Sequence, residues 1–85
     1  MALNKDELRQ IKRLAAQTAV SQLGGLSPTA EKLSALTGKI VTKHRVKYWL
    51  DAGIQAKFCP AIHQLTQIPL TQLEPEVYPV YLFAS

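Results

Sequence analysis

Residues 29–52, TAEKLSALTGKIVTKHRVKYWLDA, contain two short apolar stripes at helical spacing on either side of a glycine. The first stripe ends at Gly38 and consists of Ala30, Leu33 and Leu36. The second consists of Val46, Trp49 and Leu50. Because residues three or four apart share one face of an α-helix, the stretch predicts two short helices that face a common core across a tight connection.

Capping residues mark the ends of these two helices. Ser27 followed by Pro28 is typical of a cap and a first helical position, so the earlier helix is predicted to begin there. Thr42 is placed to cap the later helix, whose predicted range is about Thr42 to Asp51, and Gly53 is expected to stop it. Lys39 to Val41 is too short for a strand pairing of its own.

A longer helix is predicted before them, from about Lys5 to Gln22. Asn4 and Glu7 fit a capping box, and Gly24 with Gly25 stops the helix. Its predicted inward residues are Leu8, Ile11, Leu14, Ala15 and Thr18. Its predicted solvated face, for which phosphate contact is the alternative, carries Lys5, Arg9, Lys12 and Arg13.

The sequence after Gly53 predicts a fourth helix over Gln55 to Gln67 and one further turn around Leu70 to Leu73. The fourth helix is expected to have Pro60 near its first turn, where a missing N–H is tolerated. Its predicted inward residues are Phe58, Ile62 and Leu65. Pro69, Pro75 and Pro79 leave room only for an extended segment beyond.

Length and composition indicate one all-helical domain. The chain has 85 residues, of which 47% are hydrophobic and 19% charged, so it can bury one core and is too short for a second domain. We predict a compact bundle of four to five helices over residues 1–78, with a helix-turn-helix at about 29–52. Residues 79–85 are predicted to form an apolar tail.

The charge is concentrated in the later helix of the pair. Ten Lys and Arg residues against six Asp and Glu residues give a net charge of +4, which suggests a polyanionic partner. Between residues 39 and 57 the only acid is Asp51, whereas the basic residues there are Lys39, Lys43, Arg45, Lys47 and Lys57. Since the apolar stripe of that helix faces inward, Lys43, His44 and Lys47, with Tyr48 beside them, are expected on its exposed side.

Other classes of function find little support in the sequence. Cys59 is the single cysteine; a packing role is favoured over a nucleophile, and with His63 it supplies too few ligands for zinc. Trp49 is expected in the core rather than stacked on an unpaired base. No catalytic arrangement, phosphate loop, cofactor site or metal site is predicted. Without a signal peptide or an apolar run of about 20 residues, we expect a cytoplasmic protein that is not an enzyme.

The segments VTKHRVKYW (41–49), LDAG, FCPAIHQLTQ and LTQLEPEVYP resemble the Cro-like, lambda-repressor-like phage repressors known as the YdaS-type antitoxin family. The resemblance covers about Ala30 to Pro79. It rests on a V, S, x, x, x, V, x, x, W recognition helix, a Cys-Pro-Ala-Ile helix and a closing L, x, P, x, x, Y motif. The chain departs from the family in a turn lengthened by Lys39 and Ile40 and in a longer first helix. Gln55 also stands where the family usually has a proline, and His63 where it usually has an acidic residue.

The resemblance implies a prophage-type repressor that binds double-stranded operator DNA, with the later helix of the pair in the major groove. It implies base contacts for Lys43, His44 and Lys47, and a cap and phosphate contact for Thr42. The full set of predicted DNA-binding residues is Lys39, Thr42, Lys43, His44, Arg45, Lys47 and Tyr48. The alternative is an antitoxin-like module that binds a partner protein, such as a toxin.

The C-terminal residues from Tyr78 to Phe83 carry apolar side chains on both alternating faces. Left in water they would expose a large apolar surface, so they must pack against something. Two arrangements are open: the segment folds back on its own helices, or it pairs with another chain. Our hypothesis from the sequence is a homodimer, since two copies read two half-sites.

Overall fold

The longest helix, α1, is the element against which the other helices pack. In a computed structural model of the chain, which describes residues 4–75 and 77, α1 contacts all four of the other helices. The α-helices are α1 (Lys5–Leu23), α2 (Leu26–Thr37), α3 (Lys43–Ala52), α4 (Cys59–Thr66) and α5 (Leu70–Leu73). A 3-10 turn at Ala56–Phe58 precedes α4. Over the described residues the chain has five α-helices and no strands, so the predicted all-α class with four to five helices is confirmed.

Side-chain capping begins α1 and two glycines end it, as predicted. The Glu7 amide donates to Asn4 Oδ1 at 2.8 Å, and the Asn4 side-chain amide donates to the Glu7 carboxylate at 2.8 Å. At the other end Gly24 and Gly25 have φ values of 99° and 112°. A side chain is strained at such angles, so glycines suit the sharp change of direction into α2.

The buried face of α1 is not the predicted one. Its buried residues are Ala15, Ala16, Ala19, Val20 and Leu23, whereas Leu14 is 58% exposed and Thr18 is also exposed. Because alanine side chains are small, this face lets neighbouring helices approach α1 closely. Leu8 and Ile11 are only half-buried, so of the predicted inward set only Ala15 is fully in the core.

Helix α2 begins at Leu26, two residues before the predicted first helical residue, Pro28. Gly25 is the N-cap, and its carbonyl accepts from the Thr29 amide at 3.1 Å and from the Thr29 hydroxyl at 2.7 Å. Ser27 therefore lies inside the first turn, and its prediction as a cap was wrong. Ala30 and Leu33 are buried as predicted, but Leu36 is 42% exposed because it lies in the last turn, just before the chain turns at Gly38.

The predicted fourth helix is divided into the 3-10 turn and α4. Phe58 and Ile62 are buried as predicted, and Pro60 lies in the first turn of α4. Leu65 is 36% exposed, so its inward placement was wrong. Gln67, with φ of 65°, ends α4 in the left-handed conformation, and α5 covers the predicted Leu70–Leu73.

A largely buried ion pair joins the middle of α1 to the residue that follows α5. Lys12 Nζ lies 3.3 Å from Glu74 Oε2, and the two side chains are 17% and 6% exposed. Lys12 therefore does not belong to the solvated face predicted for it, while Lys5, Arg9 and Arg13 are exposed. A Cβ added at Gly53, where φ is 90°, would lie 2.6 Å from Lys12 Cβ, so glycine also lets the end of α3 approach α1.

Candidate nucleic-acid interface

Thr42 fixes the start of α3. Its hydroxyl accepts from the Arg45 amide at 3.2 Å, and its carbonyl accepts from the Val46 amide at 3.2 Å. The predicted cap is therefore confirmed, with α3 extending from Lys43 to Ala52. The Thr42 hydroxyl thus accepts a hydrogen bond from one of the backbone amides at this end that have no partner within the helix.

Two buried side chains anchor α3 to the rest of the fold. Val46 and Trp49 have no solvent exposure, and the Trp49 ring packs against Phe58 with 5.3 Å between ring centroids and a tilt of 46°. The predicted core role of Trp49 is confirmed. A helix held on one side in this way presents its other sides to solvent in a defined orientation.

The predicted site residues all lie on the exposed sides of α3 or just before it. Tyr48 is 64% exposed. The others are also exposed: Lys39, Thr42, Lys43, His44, Arg45 and Lys47. Lys43 and Lys47 are one helical turn apart, as are His44 and Tyr48, so the helix carries two adjacent rows of polar side chains.

The connection between α2 and α3 is held by Ser34. Its hydroxyl accepts from the Val41 amide at 2.9 Å and lies 3.3 Å from the Val41 carbonyl, to which it donates. Val41 is buried at 5% exposure, whereas Ile40 is 86% exposed. The turn thus directs Lys39 and Ile40 outward and fixes where α3 begins relative to α2.

Arg45 differs from the other cations of α3 because it also lies beside an aromatic ring. Its guanidinium carbon is 6.0 Å from the centroid of Phe58, and Lys57 Nζ is 5.3 Å from the same centroid. These distances fall within the range of cation–π attraction. The two cations extend the positive surface from α3 toward the 3-10 turn, and Lys57 was not among the predicted site residues although it belongs to the same basic stretch of sequence.

A polar cleft of about 490 Å³ brings the start of α1 beside α3. Its lining includes Lys5 and Arg9 from α1 and Tyr48 and Ala52 from α3. Sequence reasoning favoured a solvated face for these two α1 cations, which are indeed exposed. Their position beside Tyr48 depends on the packing of α1 on α3, for which the sequence offers no local signal.

The remaining reactive side chains are engaged inside the fold. Cys59 is fully buried, as predicted, and its thiol donates toward the carbonyls of Gln55 at 3.4 Å and Ile54 at 3.6 Å. Burial, followed by the nearby Glu74 carboxylate, raises the pKa of Cys59 to about 12 against a smaller lowering by Lys12. His63 Nδ1 lies 2.7 Å from the Ile68 carbonyl oxygen.

Among residues 4–75 and 77, no group of three His, Cys, Asp or Glu side chains is arranged to hold a metal ion. Within the same part of the chain, no helix has the length and apolar character needed to cross a bilayer.

Comparison with known proteins yields no family model, no curated protein and no solved structure that matches the chain significantly. The class of the protein is therefore defined by its structure alone: a small five-helix protein with a basic, exposed helix anchored by two buried side chains. The resemblance to Cro-like repressors stays a prediction.

Proposed function

We propose that the protein is a sequence-specific repressor that binds double-stranded DNA, with α2 and α3 forming a Cro-like helix-turn-helix. The observation that carries the proposal is that α3 has one fully buried side and exposed basic residues on its other sides. Val46 and Trp49 are fully buried, while Lys43, His44 and Lys47 are all exposed on the other sides. A recognition helix needs this combination, because base edges are read by donors on a helix whose orientation the fold determines.

The dimensions of α3 suit a major groove. Ten residues at 1.5 Å rise give a rod of about 15 Å, and B-form DNA admits an α-helix in a major groove about 12 Å wide. In this pose Lys43 and Lys47 donate to guanine O6 and N7 or to flanking phosphates. Thr42 and the free amides at the start of α3 face a phosphate, which the helix dipole also favours.

Cations outside α3 complete the contact with the DNA backbone. Lys39 in the turn and Arg45 at the side of α3 lie next to the recognition surface. Lys5 and Arg9 approach it from α1 across the cleft shared with Tyr48. Such contacts position a protein on the duplex without reading its sequence. The protein then represses by occupying a site on cytoplasmic, nucleoid DNA that other proteins require.

Selection from a pool of random duplexes tests the proposal directly. The purified protein is expected to enrich one sequence motif at low ionic strength, and its affinity for that motif should fall steeply as salt is added. A palindromic motif would indicate that two copies bind side by side. If no duplex is bound or no motif is enriched at low salt, the proposed function is wrong.

A variant of α3 tests the recognition residues. Lys47→Ala is expected to weaken binding to the selected motif by about 1–3 kcal/mol and to relax specificity at one position, if Lys47 contacts a base. A uniform loss on all duplexes would instead indicate a phosphate contact. Arg13→Ala removes the same charge from an exposed position of α1, outside the α2–α3 pair, and serves as the control, with a smaller loss expected. Equal losses would contradict a role for α3.

Binding of a partner protein, such as a toxin, is the second candidate. The observation in its favour is the exposure of two apolar side chains on either side of Gly38, Leu36 at 42% and Ile40 at 86%. An apolar contact of this kind depends little on ionic strength, whereas DNA binding falls with salt. Binding titrations at two salt concentrations therefore distinguish the candidates. A loss of affinity at the higher concentration favours DNA binding, and an unchanged affinity favours the partner protein.

A further inference from the structure

An apolar groove of about 510 Å³ lies between α1 and α5. One wall is formed by α1 and includes Leu8, Ile11 and Leu14, and the other includes Ile68, Thr71 and Pro75. Leu14 is 58% exposed, although most large apolar side chains of the described residues are buried or half-buried. The groove thus leaves a contiguous apolar surface in water unless another segment covers it.

The chain contains a matching apolar segment immediately after the groove. Residues 78–83 are YPVYLF, with no charged side chain among them. Pro75, only two residues before Val77, is itself part of the groove wall, and Val77 is 53% exposed. The apolar segment is therefore tethered at the rim of an apolar groove.

The segment is also long enough to cover the groove. The α1 wall runs from Leu8 to Thr18, which is about 15 Å at 1.5 Å per residue. Six residues in extended conformation span about 20 Å at 3.3 Å per residue. Alternate side chains of an extended segment point the same way. If residues 78–83 were extended along the groove, either Tyr78, Val80 and Leu82 or Pro79, Tyr81 and Phe83 would face it together.

We propose that residues 78–83 dock in this groove within the same chain. The short tether favours the intramolecular arrangement, because it gives the segment an effective concentration in the millimolar range at the groove. A second copy would have to bind at its free concentration, which is far lower. The groove thereby offers the apolar tail a cover within its own chain, and a homodimer through the tail is not needed to bury it.

Disulfide trapping in the full chain tests the docking. The middle of the segment should meet the middle of the groove in either direction of the chain, so Leu14→Cys is combined with Val80→Cys in one variant and with Tyr81→Cys in another. Val80 belongs to one of the two alternating sets of side chains and Tyr81 to the other. The native Cys59 is fully buried and its pKa is raised to about 12, so it does not compete for oxidation.

At least one of the two variants is expected to form a disulfide within a single chain, seen as a monomer of increased mobility on a non-reducing gel and independent of protein concentration. The control pairs Leu36→Cys, on the exposed side of α2, with the same tail positions and should form little disulfide. Disulfide-linked dimers would show that a second copy fills the groove, and absence of a disulfide in both variants would show that the segment lies elsewhere. Either result, or equal trapping in the control, overturns the proposal.

Discussion

At the residue scale, burial decides what Cys59 and Trp49 can do. The Cys59 thiol has no solvent exposure and its pKa is raised to about 12, so at neutral pH it remains protonated and unreactive. The Trp49 ring is equally buried against Phe58 and cannot stack on a base. Both residues stabilise the fold, whereas Lys43, His44 and Lys47 of α3 are exposed to solvent.

The raised pKa of Cys59 predicts a loss of stability at alkaline pH. The ordinary pKa of the thiol is 9.0 and the folded value is about 12, so between these values the unfolded chain releases a proton that the folded protein keeps. The stabilisation is complete below pH 9 and is lost as pH rises toward 12, by up to about 1.4 kcal/mol per pH unit.

Urea unfolding of the wild-type protein and of Cys59→Ala between pH 8 and pH 11 measures this contribution. All other ionisable groups are common to the two proteins, so only the difference between the two slopes reports on the thiol. The free energy of unfolding of the wild-type protein should fall more steeply. Parallel slopes would contradict the argument.

At the scale of the elements, the α2–α3 connection controls how α3 is presented. The Ser34 hydroxyl bonds to both backbone groups of Val41, and Gly38 ends α2 in the left-handed conformation with φ of 72°. Lys39 and Ile40 follow Gly38 in this turn, and both are exposed. Because the two Ser34–Val41 hydrogen bonds hold this turn, α3 begins at a defined position relative to α2.

Ser34→Ala is expected to destabilise the protein by about 1–3 kcal/mol, because the Val41 amide loses its acceptor in a partly buried place. Thermal or urea unfolding measures the change. Ser27→Ala, in the exposed first turn of α2, is the matched control and should change stability by less than about 0.5 kcal/mol. A neutral Ser34→Ala variant would mean that the turn is held by other contacts.

At the scale of the whole molecule, α1 serves two surfaces. Its first turns bring Lys5 and Arg9 into the cleft beside Tyr48, while Leu8, Ile11 and Leu14 line the groove on another side. The helix thus connects a positive surface around α3 with an apolar surface around α5. Under the proposed function the first surface faces DNA, and under the separate docking proposal the second surface binds residues 78–83.

The arrangement predicts different effects for two arginines of α1. Arg9 lines the cleft beside α3, whereas Arg13, one turn further along, is exposed and does not line it. Arg9→Ala should therefore lower the slope of log affinity against log salt by about 1 on every duplex. Arg13→Ala should leave the slope nearly unchanged. A slope for Arg9→Ala equal to that of the wild-type protein would place Arg9 outside the proposed DNA interface.

Local rules in the sequence determined much of the fold. The spacing of apolar residues predicted α1, α2, α3 and a fourth helix that the structure divides into the 3-10 turn and α4. Asn4 and Thr42 predicted two caps, and Gly24, Gly38 and Gly53 predicted three helix ends. The same spacing predicted the inward side of α3 and therefore its exposed residues. These features depend on residues within a few positions of one another, so the sequence alone specifies them.

Packing between distant segments was decided only by the tertiary structure. The sequence predicted the wrong inward side for α1, because Ala16 and Ala19, rather than Leu14, meet the neighbouring helices. It also gave no sign of the Lys12–Glu74 ion pair or of the position of Arg9 beside Tyr48. Contacts of this kind depend on how whole helices fit together, and helical spacing only indicates which residues of one helix share a face.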